Sequence, residues 1–228
     1  MSGKERENPE NDGGEACCSK LAERALNAWL MKDRSSWLHE VHERAESLIA
    51  AGGFEVRCGS FLGEPPRGRR QMDKISGHHW YLRALLAVTN PKKVLGLGQC
   101  LGNSTTSILG GLATDAMLIS TATDEPASPL RHRAGDSRLR SLTGNDLAQA
   151  ISEGIDLAGV DFLFMDTDHT YTLATKEWET YRRFLADNAL VVFDDITVND
   201  MGRFWDELAC AKLATGASHC GGFGLAAP

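Results

Sequence analysis

From Lys92 onward, short apolar runs alternate with longer stretches of helical periodicity, and this alternation restricts the chain to an α/β architecture. The runs are KKVLGLG (92–98), AMLISTA (116–122), LRSLTG (139–144), VDFLFMD (160–166) and ALVVFDD (189–195). Helical segments are expected from near Asn103, over about 146–153, over 173–186 and over 199–213. Runs of this length, apolar on both faces, are those of strands covered on each side by helices. The pattern predicts a Rossmann-like, doubly wound, mostly parallel sheet. The closing stretch GASHCGGFGLAAP reads as a turn and a last strand with no helix between, so an antiparallel C-terminal edge strand is expected.

The part before Lys92 is organised differently. Residues 1–15 are polar and glycine-rich with almost nothing to bury, which predicts a disordered tail. Leu21, Ala25, Leu26, Trp29 and Leu30 recur at helical spacing, as do Trp37, Leu38, Val41, Ala45, Leu48 and Ile49 before Gly52 and Gly53. Two amphipathic helices are expected there. A Gly/Pro/Arg loop (GEPPRGRR) follows, then a third helix over about 71–89 that ends before Pro91. At 228 residues with 42% hydrophobic content, the chain can bury one sizeable core. Its net charge of -7 offers no footprint for nucleic acid or an anionic membrane. No apolar run approaches the ~20 residues of a membrane span, and the polar start differs from a secretory signal, so a cytoplasmic protein is expected. The six cysteines (17, 18, 58, 100, 210, 220) form no C-x-x-C pair and read as reduced thiols.

Two places carry chemistry. In VLGLGQCLGNSTTSIL a buried strand runs into a glycine turn and then a helix capped by Asn103 or Ser104. Gly98 and Gly102 let backbone approach a ligand beside the helix N-terminus, though the G-x-x-x-G spacing departs from the dinucleotide pattern G-x-G-x-x-G. A tight turn without a ligand reads equally well from these residues alone. Later, Asp166 and Asp168 follow one strand, and Asp194 and Asp195 end the next. Strand carboxyl ends share a rim in a parallel sheet, so these carboxylates converge and repel unless a hard cation such as Mg²⁺ sits among them. The competing reading is helix capping, which Asp168 or Asp195 singly could satisfy. His169 would enter the same cleft.

The glycine loop, MDTDHTY and VVFDDI in this order resemble the class I S-adenosylmethionine-dependent O-methyltransferases. The resemblance is to the metal-dependent small-molecule type, including the cephalosporin hydroxylase-like and macrolide or sugar O-methyltransferases. It covers about residues 70–228. It implies S-adenosylmethionine as cofactor, with Gly98, Gly102 and Ser104 around its methionine part and Asn145 and Asp146 beside its adenine. It also implies a divalent cation on Asp166, Asp194 and Asp195, with His169 as general base. Residues 16–90 would form a helical lid over a small-molecule substrate, with His78, His79 and Trp80 as contact candidates, ahead of a catalytic domain over 91–228. The chain departs from the family pattern at Gly96 and Ala122, where acids are usual, and Asp124 is the substitute for the ribose-binding acid. The alternative is a protein of this fold that has lost or altered cofactor use, serving as a binding or regulatory protein or running other metal chemistry. Homo-oligomerisation is left open.

Overall fold

The computed structural model describes residues 12–51, 77–98, 102–122, 135–143, 154–216 and 221–228. Helix α1 (Asp12–Ala50) and α2 (Gly77–Thr89) precede β1 (Lys93–Leu97), α3 (Asn103–Gly111), β2 (Met117–Ala122) and β3 (Leu139–Thr143). Then come β4 (Val160–Met165), α4 (Tyr171–Tyr181) with a 3₁₀ turn (Arg182–Phe184), and β5 (Leu185–Asp194). The chain ends with α5 (Met201–Glu207), β6 (Ala211–Thr215) and β7 (Phe223–Ala227). All five expected parallel strands form, in one seven-stranded sheet of order β3-β2-β1-β4-β5-β7-β6. Strands β1 to β5 are parallel, while β7 runs antiparallel to both β5 and β6.

Three expectations need correction. The two N-terminal helices are one 39-residue helix beginning at Asp12, inside the segment read as tail. No Gly or Pro falls between Glu15 and Ala51, so the polar stretch between the two apolar patterns does not interrupt it. The helix expected to reach Leu213 stops at Glu207, and Ala211–Thr215 is a strand. Lys212 fixes that change by donating its ammonium to the carbonyls of Trp205 and Asp206 at the end of α5. The antiparallel C-terminal strand is present but interior, because β6 pairs outside it and takes the edge. The expected helix over 146–153 lies outside the described residues.

Alternation along the strands divides the core into two layers. Val94, Leu118, Phe164 and Val192 pack with Leu38, Leu82 and Ile108 of α1, α2 and α3. Leu95, Ile119, Leu163 and Phe193 pack with Ala174, Phe204 and Trp205 of α4 and α5. Among the described residues no helix is long and apolar enough to cross a membrane.

Candidate active site at the carboxyl rim

Register places the site. Leu97 pairs with Met165, Met165 with Phe193, and Asp194 with Phe223, so β1, β4 and β5 end level with one another. Gly98, Asp166 and Asp194 therefore stand side by side. The Gly98 backbone has φ +88°, and its N–H donates to the Thr121 carbonyl at 3.1 Å. A Cβ at this position would lie 1.7 Å from the Asp166 carbonyl oxygen, so the adjoining strand itself requires glycine here. Gly102, buried with φ +82°, is the N-cap residue of α3, one position before the Asn103 or Ser104 expected. Within the first turn of the helix, Ser104 Oγ donates to Asp166 Oδ2 at 3.1 Å. Ser104 is thus tied directly to a carboxylate that the sequence assigned to the metal.

Nearly every side chain of the β4–α4 connection has an identifiable task. Asp166 faces inward to Ser104, and Thr167 Oγ1 donates to Glu177 Oε2 at 2.8 Å. Asp168 is exposed. His169 sits at φ +53° with Nε2 3.5 Å from Asp166 Oδ1 and 3.8 Å from Asp195 Oδ2. The first distance is at the limit of hydrogen bonding and the second is beyond it. Thr170 caps α4, accepting the Leu173 N–H at 3.4 Å, and Tyr171 donates its hydroxyl to Glu207 at 2.6 Å. Asp195 also has positive φ, +52°. A left-handed backbone costs a non-glycine residue about 1–2 kcal/mol, and two such residues face each other across this site.

The electrostatics follow from this crowding. Asp194 is only 5% exposed, and its carboxyl pKa is pushed up to about 8, first by burial and then by the negative charges of Asp166 and Asp195. The imidazole of His169 is shifted upward as well, by its interaction with Asp166 first, against the opposing effect of burial and with further help from Asp195 and Asp168. Ligand atoms of Asp166, His169 and Asp194 lie within 4.8 Å of one another, a spacing open to one metal ion. Carboxylate oxygens with one imidazole suit a divalent cation. The sequence paired Asp166 and Asp194 with Asp195 and kept His169 apart as base. In the fold His169 stands inside the group, and Asp195 adjoins it across the imidazole.

Two residues that shape the site were missed in the sequence. Gly221, between β6 and β7, leaves room for Asp195, since a Cβ there would fall 1.7 Å from Asp195 Oδ1. Glu177 is 3% exposed on α4, on the buried stripe formed with Ala174 and Tyr181, and a charged residue in such a stripe is the signal that could have found it. Of the other candidates, Asp124, Asn145 and Asp146 lie outside the described residues. Gly96 faces Leu118, Ser120 and Ile108, a largely apolar wall where the family pattern has an acid. His78 and His79 lie ring to ring at 4.0 Å at the start of α2, with His78 6.1 Å from Phe223, and Arg83 lies over the Trp80 ring.

Comparison with known proteins agrees with this geometry. Residues 95–196, which contain the glycine turn and both carboxylate strand ends, match a family model described as a methyltransferase domain. Curated proteins give no significant match. Among solved structures, the O-methyltransferase from Bacillus cereus in complex with SAH is 20% identical and superposes with a TM-score of 0.52 over 82% of this chain and 90% of its own. A methyltransferase from Geobacter sulfurreducens is 18% identical with a TM-score of 0.53, covering 66% of this chain and 77% of that one. The O-methyltransferase TomG from Streptomyces achromogenes, involved in tomaymycin synthesis and solved with SAM, is 21% identical with a TM-score of 0.50, covering 66% and 78%. At these identities the structural likeness establishes the fold. Residues 95–196 therefore resemble a methyltransferase domain, set on a Rossmann-like sheet of the kind the similar structures carry.

Proposed function

We propose that this chain is an S-adenosylmethionine-dependent O-methyltransferase that acts, with a divalent cation such as Mg²⁺, on a hydroxyl of a small molecule. The observation that carries the reading is the convergence of Asp166, His169 and Asp194 beside the Gly98 turn of a methyltransferase domain. Two of the similar structures were solved with SAM or SAH, which supports the same cofactor here. The cofactor, when bound, supplies a methyl group already activated by its sulfonium. The chain's own residues are then left to align the hydroxyl, keep out water and take a proton. Gly98, Gly102 and Ser104 are assigned to the methionine part, and Asp124, Asn145 and Asp146 to the ribose and adenine.

Asp166, Asp194 and Asp195 are the assigned cation ligands, and a bound cation lowers the pKa of a hydroxyl beside it. His169 Nε2 removes that hydroxyl's proton. Carboxylates on two sides favour the protonated imidazole, which holds the removed proton until it passes to solvent. The grouping of His169 with Asp166 and Asp194 favours a second reading, in which the imidazole is itself a ligand. Calorimetry with S-adenosylhomocysteine, with and without Mg²⁺, tests the proposal: binding is expected, with a separate Mg²⁺ isotherm. Failure to bind at millimolar S-adenosylhomocysteine would leave a cofactor-free relative of the fold as the better description.

A further inference from the structure

The stripe of α4 that faces the sheet consists of Ala174, Glu177 and Tyr181, all buried. A core-facing stripe ordinarily holds apolar residues, and a carboxyl taken out of water is costly unless something bonds to it. Glu177 lies six residues into a helix whose side chains lean toward the N-terminus, so its carboxylate reaches back to the loop that opens the helix. There it accepts the Thr167 hydroxyl at 2.8 Å. Thr167 is held between Asp166 on one side and Asp168 and His169 on the other. Position 167 is thus the point at which the body of α4 grips the site loop. The loop needs such a grip, because His169 stands at φ +53° and Asp166 approaches the Gly98 backbone.

We propose that Glu177 is a positioning residue: through Thr167 it clamps the 166–170 loop in the conformation that brings Asp166 and His169 beside Asp194. The inference deepens the proposed active site and rests on it for its functional meaning. What the clamp requires is an acceptor buried at that point; it does not require a charge. Glutamine at 177 keeps such an acceptor, whereas alanine at 177 or valine at 167 removes one partner.

The test measures amide exchange by mass spectrometry and Mn²⁺ affinity by titration, on the full chain and its Glu177→Ala, Glu177→Gln and Thr167→Val variants. Losing a hydrogen bond to a carboxylate should raise exchange across 166–174 by about tenfold or more in Glu177→Ala and Thr167→Val, with Lys93–Leu97 unchanged. Mn²⁺ binding should weaken by roughly tenfold in the same two variants. Glu177→Gln should restore both readouts to within about threefold of the parent, since the acceptor remains. Should Glu177→Ala fail to fold, Thr167→Val carries the same comparison. Exchange that stays at the parent level, or rises equally throughout the chain, overturns the clamp, as does a Glu177→Gln variant that behaves like Glu177→Ala. A parent protein without Mn²⁺ affinity whose loop still loosens in Thr167→Val would sink the metal reading and leave the clamp standing.

Discussion

The turn after β1 and the loop after β4 adjoin on one rim, yet they are held in opposite ways. At Gly98 the backbone is shaped by missing atoms, because the Asp166 carbonyl occupies the space of a side chain. Across the gap, residues 166–171 are shaped by what their side chains hold: Asp166 by Ser104, Thr167 by Glu177, and Tyr171 by Glu207. The contrast shows that a glycine in a ligand-loop pattern can be demanded by the neighbouring strand before any ligand arrives. The hydrogen-bonded loop, whose left-handed His169 has no steric excuse in a missing side chain, is the better indicator of chemistry.

The largest expected effect breaks the glycine side of this comparison. Gly98→Ala puts a Cβ against backbone oxygen at positive φ, and urea denaturation should show a loss of more than about 4 kcal/mol or no folded protein. Gly154→Ala, also at positive φ but with nothing within 4 Å, should cost only about 1–2 kcal/mol. Similar losses at both positions would mean that the Asp166 contact does not govern the turn.

Next comes the loop. His169→Ala should lower turnover by roughly 10²–10⁴-fold with Mg²⁺ affinity retained if the imidazole is the base. Loss of Mg²⁺ affinity in the same preparation would make it a ligand, and near-normal turnover would remove it from the mechanism.

A pH titration of the metal-free protein sharpens the comparison further, since the acids concentrate at the β4 and β5 ends. Burial pushes the carboxyls of Asp194 and Glu177 up to about 8 and about 7, above their ordinary values, and the neighbouring Asp166 shifts His169 upward too. The folded state therefore holds protons that the unfolded chain releases, so stability should fall as pH rises from about 4 to about 8. Thermal melts with and without Mg²⁺ check this: the fall should shrink when the cation is present and in Asp194→Asn. A metal-free melting temperature that rises over this window would contradict the buried-acid arrangement.

The smallest effect is at the helix cap. Thr170→Ala removes the acceptor of the Leu173 N–H and should cost about 0.5–1 kcal/mol, toward the low end because the bond is long at 3.4 Å. A loss as large as that of Gly98→Ala would mean that the cap, too, is part of the rim's tight packing.

By itself the sequence determined the α/β class, the five parallel strands and the rim at which Asp166, Asp194 and Asp195 meet. Those follow from short-range periodicity and from strands having direction, both of which are written locally. Tertiary structure alone decided that β6 would take the sheet edge, since AKLAT has no strong period and becomes a strand only where β7 offers a free side. It also decided that Gly98 answers to Asp166, that Ser104 bonds that carboxylate and that Gly221 makes room for Asp195. Each of these depends on atoms far apart in the chain being brought within a few ångströms, which no local pattern records. Glu177 lies between the two cases: its place in an apolar stripe is legible, but its reason, the hydroxyl of Thr167, appears only when helix and loop are folded together.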